Sequence, residues 1–286
     1  MVFVPPSYSN IGKETNDLLG KDFPAGNVKL EFNSTASNGL KFTVTGSNNA
    51  GKTGGIIADI KSKFSDKARG FTFTESWTTA NVLGVQLELQ DNIAKGLKLD
   101  VNASILPAIG SKSVKAGAEY KQEYIFTRAN IDLFRGPTIA GDVVVGNDGY
   151  IVGGDIAYDV NDAKVTRYNG AVGYANKEYS VTLHATNAFN TFAASYFHRL
   201  NPEVEAGARA VWNKSSDANV TIELGSKYTL DKEAFAKAKI DNHGRLGLSY
   251  TQNLRPGLKV TFGGIFDTSR LQENAHKVGL SFVVDA

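Results

Sequence analysis

The chain has no cysteine in 286 residues, so it can build neither a disulfide framework nor a thiolate metal site. Prolines are few, seven in all, and Pro24, Pro107, Pro137, Pro202 and Pro256 sit at segment edges. No apolar run approaches the roughly 18 residues of a spanning helix, which excludes a helical membrane protein. A strong charge of either sign is also missing. The net charge of +2 is too small and too dispersed to favour nucleic acid. The four histidines, His184, His198, His243 and His276, are isolated and make no metal-ligand spacing. Ser, His and Asp fall into no nucleophile-elbow signature, so neither catalysis nor a cofactor nor a metal is expected. The Asn-x-Ser/Thr sequons at Asn33, Asn102, Asn213 and Asn219 carry meaning only in a secreted protein.

What the chain has is alternation, in blocks of about ten residues from about Ala25 to the C-terminus. Leu97, Leu99, Val101 and Ala103 face one way, and Lys98, Asp100, Asn102 and Ser104 the other. The rhythm returns in Leu83-Val85-Leu87-Leu89 and in Val278-Leu280-Phe282-Val284, each against polar partners. Strand side chains point to opposite faces in turn, so each block is a strand with one apolar and one wet side. About nineteen such strands start near residues 25, 39, 54, 69, 82, 96, 112, 123, 138, 149, 164, 178, 190, 203, 219, 232, 244, 257 and 275. Links such as Ser37-Asn38-Gly39, Asn147-Asp148-Gly149 and Asn242-His243-Gly244 suit hairpins, which make neighbours antiparallel. An odd count would make the first and last strands meet in parallel. The phase blurs around residues 123–160. No longer repeat points to a propeller or solenoid, and no domain boundary interrupts 25–286. So many two-sided strands predict an all-β transmembrane barrel, apolar toward lipid and polar within. Hydropathy averages hide it, because a spanning strand needs only about 9–11 residues and half are polar.

Residues 1–24 form a separate N-terminal segment that breaks the rhythm. Tyr8, Ile11, Leu18 and Leu19 share one face of a helix predicted over 6–20, with Ser7 as its cap and Gly20 as its stop. At about 14 residues this helix is too short to cross a bilayer. The start, Met1-Val-Phe-Val-Pro-Pro, lacks the charged, apolar and small-residue regions of a secretory signal, so entry into the membrane from the cytosol is expected.

Three features compete for a functional role. Gly46-Ser-Asn-Asn-Ala-Gly51-Lys52-Thr53 matches the phosphate-cradling P-loop literally, but Gly54-Gly55 and a strand-like run follow where a helix is needed. A flexible glycine-rich hairpin is the better account, leaving a soluble nucleotidase as a distant alternative. Glu75 is in phase with Phe71, Phe73 and Trp77, which aims a carboxylate at lipid. It is either a functional group or an interfacial one beside Trp77. The wet face carries Lys29, Lys41, Lys61, Lys98, Lys115, Lys121, Lys227, Lys237, Lys239 and Lys259, against Glu31, Asp59, Glu88, Asp100, Glu119, Glu223 and Asp241. This modest basic excess predicts weak anion preference in a water-filled passage.

Several runs resemble the mitochondrial porin family, the voltage-dependent anion channels. They are Pro5-Pro6-x-Tyr8 with Ile11-Gly12-Lys13, Asp17-Leu18-Leu19-x-Lys21-Asp22-Phe23, Thr74-Glu75-x-Trp77, Lys95-Gly96-Leu97-Lys98 and Gly136-Pro137-Thr138-Ile139. Tyr250-Thr251-Gln252-x-Leu254-Arg255-Pro256-Gly257-Leu258-Lys259 and His276-Lys277-Val278-Gly279 complete the set, which covers the whole chain and looks closest to fungal members. The resemblance implies a mitochondrial outer-membrane barrel of 19 strands, the known count for that family. It also implies a helix lying inside the pore, voltage gating, and passage of anions such as ATP, ADP and phosphate. By position, Lys13, Lys21 and Lys239 are the implied phosphate contacts. Asn16 stands where many animal members carry arginine. Glu75 matches a glutamate linked to dimerisation and partner binding, so self-association and docking of metabolic kinases stay open. Lys277, Gly279, Phe282 and Val284 resemble the sorting signal read by the barrel-insertion machinery. A protein-import barrel of the same architecture is the alternative within transport.

Overall fold

The computed structural model describes residues 3–49, 55–66, 68–134, 136–214, 220–273 and 275–286. Among them nineteen strands follow one short helix. The first group is β1 (Asn27–Thr35), β2 (Lys41–Asn49), β3 (Ile56–Asp66), β4 (Phe71–Thr78), β5 (Leu83–Gln90) and β6 (Leu97–Leu106). Next come β7 (Ser111–Gln122), β8 (Ile125–Asp132), β9 (Thr138–Asn147), β10 (Tyr150–Asp159), β11 (Lys164–Ala175), β12 (Tyr179–Thr186) and β13 (Thr191–Arg199). The ring is completed by β14 (Val204–Asn213), β15 (Thr221–Thr229), β16 (Ala234–Asp241), β17 (Arg245–Arg255), β18 (Leu258–Asp267) and β19 (Lys277–Asp285). These starts lie within about two residues of those read from the alternation.

Each strand pairs with its chain neighbours in antiparallel fashion, and the ring closes where β1 meets β19 in parallel, Val28 opposite Leu280 and Phe32 opposite Val284. Closure leaves no unpaired edge, the condition for a sheet to stand in hydrocarbon. The turns are as tight as their residues allow. Asp148 and Gly149 both take positive φ, 48° and 89°, as a two-residue hairpin matched to strand twist requires.

Cross-strand register carries the inward face around the whole ring. Lys239 faces Gly225 and Gly247, Lys29 faces Ser281 and Ser47, and Lys41 faces Lys63. Val28, Leu30 and Phe32 take the other face and stay exposed outward. The P-loop-like run begins at the end of β2. Gly46–Asn49 close β2, Ala50–Gly54 lie outside the described residues, and β3 rather than a helix follows.

Candidate functional site

The lumen is polar around most of its wall, and the N-terminal segment lies within it. A 3-10 turn over Tyr8–Asn10 touches β9 and β10, and α1 (Lys13–Gly20) packs on β13, β14 and β15. The expected single helix over 6–20 is thus split. Gly12 at the break has φ 72°, and a Cβ there would sit 2.8 Å from the Thr182 hydroxyl. The chain passes too close to the wall for continuous helix with a side chain at that position. Ser7 does not cap the helix with its side chain as expected; its hydroxyl oxygen accepts from Asn10 Nδ2 at 2.8 Å instead.

The segment buries its apolar side as the periodicity predicted. Ile11, Leu18 and Leu19 are 2%, 4% and 1% exposed. Ile11 joins Phe126, Val144, Ile151 and Ala171 in an apolar patch on the inward face. Beneath the segment the wall is thinned by glycine. A Cβ on Gly153 would lie 3.2 Å from Ile11 Cδ1, one on Gly207 2.9 Å from Leu18 Cδ2, and one on Gly225 2.5 Å from Leu19 Cδ2. Sequence reasoning missed this track, because a glycine on a wet face reads only as a gap in the alternation.

Polar groups hold the C-terminal end of α1. The last carbonyls of a helix have no intrahelical partner and carry partial negative charge. Lys237 Nζ donates to Asp17 O and Lys21 O, both at 3.1 Å, and pairs with Asp22 at 3.1 Å. Lys239 Nζ donates to Leu19 O at 2.6 Å and lies 4.7 Å from the centre of the Phe23 ring. Lys239, read from the resemblance as a phosphate contact, is therefore occupied as a helix clamp. Lys237 was legible only as one of several wet-face lysines. Arg209 was not singled out at all: its Nη1 donates to Asn16 Oδ1 at 3.0 Å while its guanidinium pairs with Glu223. The wall thereby sets a positive charge beside Asn16.

The other expected lumen residues are separated along the wall. Lys13 and Lys21 both donate to Asp17, the latter at 2.9 Å, and both are largely exposed. Burial of Asp17, which favours its neutral form, is outweighed by these hydrogen bonds, so its carboxyl is held below the ordinary value. Burial, with Asp155 adding to it, pushes the Tyr8 hydroxyl up to about 12. Lys98 pairs with Glu88 at 2.7 Å, Lys115 with Asp132 at 3.8 Å and Lys259 with Asp22 at 3.7 Å. Glu75 is exposed on the outer face, fifth of the eight residues of β4, with Ser62 and Val85 beside it. In β19, Phe282 and Val284 point outward with Val278, while Gly279 faces in, where a Cβ would meet Pro24 O and Asn27 O at 2.6 Å.

The family model described as eukaryotic porin matches residues 4–279. The chain belongs to the eukaryotic porin family. A mitochondrial outer membrane protein porin of Candida albicans is 40% identical over 97% of this chain and 98% of its own length. One from Neurospora crassa is also 40% identical, over 98% and 99%. A Xenopus laevis relative named non-selective voltage-gated ion channel VDAC2 is 34% identical over 99% of this chain and 100% of its own. Among eukaryotic porins, then, this chain is similar from end to end to fungal and animal members alike.

Proposed function

We infer that the chain is a voltage-gated diffusion channel of the mitochondrial outer membrane, passing ions and small metabolites with a weak preference for anions. One observation carries the reading: a closed wall, wet inside and apolar outside, encloses a helix attached by reversible contacts. The fungal relatives' names support the membrane, and the animal relative's name supports gating by voltage. The preference is a bias and not a filter, since many lumen bases stand beside a carboxylate and a paired charge attracts a passing ion less. Lys13 and Lys21, exposed beside the passage and sharing the single carboxylate of Asp17 between two positive charges, are the contacts offered to phosphate-bearing permeants. No reaction is assigned to the chain, and its outer face takes lipid as partner.

The test is conductance in a planar bilayer across a salt gradient and a voltage ramp. Open pores with a reversal potential toward the anion, closing at high voltage of either sign, are expected. Cation preference, or no pore, overturns the reading.

A further inference from the structure

Three lumen lysines on neighbouring strands stand apart from the paired bases. Lys41 opens β2 and faces Lys63 of β3 directly across the ladder, while Lys61 lies two residues away on the same face. Directly opposed residues have Cα atoms about 4.5–5.5 Å apart, and alternate residues along a strand about 6.8 Å. Like charges so placed are unfavourable unless something of opposite sign joins them. Among the described residues no carboxylate does. Lys29, Lys98, Lys115, Lys121, Lys227 and Lys259 each have an acidic partner, and none of the three does. On the wall around them, Asp59 lies two residues from Lys61 and makes no ion pair with it, while Lys29 holds Glu31 at 3.0 Å and Lys98 holds Glu88 at 2.7 Å.

All three side chains are exposed to the lumen. Thr43 and Thr74 lie opposite Lys61 and Lys63, so no carboxylate faces either charge across the ladder; the Thr43 hydroxyl donates to Asn33 Oδ1 at 2.8 Å. The cluster also sits far from α1. Its strands are seven and eight places around the nineteen-strand ring from β14, close to the opposite wall.

We propose that Lys41, Lys61 and Lys63 form a binding site for oligophosphate anions on the lumen wall facing the helix. Three charges within the footprint of a few linked phosphoryl groups attract a multivalent anion far more than chloride, and ammonium groups on flexible stems adapt to it. The proposal rests on the channel reading and deepens it by giving the permeant a second place to pause.

Tripolyphosphate is the probe. In bilayers at constant ionic strength it is expected to reduce chloride current through the unaltered channel. The K41Q/K61Q/K63Q variant should need at least tenfold more for the same reduction. The charge-matched K112Q/K177Q/K232Q variant, altered outside the lumen cluster, should respond like the unaltered channel. Equal responses from all three proteins overturn the site, and equal weakening in both variants reduces it to a long-range field. Calorimetric titration of the detergent-solubilised barrel reads binding without conduction. A barrel that binds tripolyphosphate through these lysines but forms no pore keeps the site and overturns the channel reading.

Discussion

The two sides of the barrel follow one alternation rule with different strictness. In β2 to β6 the inward positions are polar or charged apart from Ile57 and Leu106 at the strand ends, for example Thr43 and Thr45, Thr72 and Thr74, and Lys98, Asp100 and Asn102. From β8 to β15 the inward face also carries Phe126, Val144, Ile151, Ala171, Gly207 and Gly225. On the first side lies no strand on which α1 or the 3-10 turn is seen to pack. The second faces the N-terminal segment, and its exceptions are the complement of that segment's buried side chains. Where the mid-strand positions of this lumen wall break the polar rule, the N-terminal segment is docked on them.

The largest test of this contrast removes the main apolar contact. Ile11→Ala should cost about 2–5 kcal/mol of docking, as for other buried large-to-small changes. Because the chain lacks cysteine, Thr15→Cys places a single thiol at a position only 1% exposed. Its maleimide labelling rate then reports how often the segment leaves the wall. A rate unchanged by Ile11→Ala would mean the apolar patch does not hold the segment. Gly225→Leu, filling space that Leu19 occupies, should raise labelling on the order of tenfold to a hundredfold, from an overpacking cost of about 1–3 kcal/mol. Gly46→Leu, where a Cβ meets nothing within 4 Å, should leave it unchanged.

The same contrast explains what could be read from the sequence. Where the N-terminal segment is not docked on the wall, period-2 alternation fixes both strand and phase, and Leu97–Ser104 is unambiguous. Around 123–160 the phase blurred because Val143, Val144 and Val145 are all apolar: two face lipid, and the third, wholly buried, supports Ile11. A sequence shows the apolar residue and not the neighbour that justifies it. Lys237 and Lys239 present the same difficulty in the polar phase. As wet-face lysines they were legible; that their ammonium groups end on the carbonyls of α1 depends on a contact some 220 residues away. The helix break at Gly12 also joins a local cause, glycine's ease at positive φ, to one the sequence does not show, the close approach of the wall at Thr182.

Lys237→Met should weaken docking by about 1–2 kcal/mol, because two helix carbonyls and Asp22 lose a buried donor while lumen water replaces part of the loss. In the labelling assay this is a rise of roughly tenfold. Lys259→Met, removing a longer and more exposed contact to Asp22, should do much less. A larger effect from Lys259 would place the anchor in the loop before β1 and not in the helix. On the outer face, Glu75→Gln should leave conductance intact and raise the unfolding free energy in vesicles by about 1 kcal/mol or less, since a mid-strand carboxylate in lipid is a modest burden. A large loss of conductance would mean the group does not face lipid.

The smallest effect concerns Asp17, the acid that Lys13 and Lys21 share on the exposed side of α1. Its folded value is lowered from the ordinary 3.8, so its contribution is complete above that ordinary value and is lost as the pH falls through the lowered one. Helix order over Lys13–Gly20, followed by NMR secondary shifts in micelles, should therefore be flat from neutral pH down to about 4.5 and decline only in stronger acid. Tyr8, pushed to about 12, stays neutral throughout and adds no second step. Asp17→Asn should show the acid-side helix order at every pH and abolish the decline. Because the apolar patch and the Lys237 clamp do not depend on Asp17, Thr15→Cys should remain protected in that variant at neutral pH. Loss of protection there would move the anchor from the buried face of the segment to its exposed ion pairs, and would erase the distinction between the two walls.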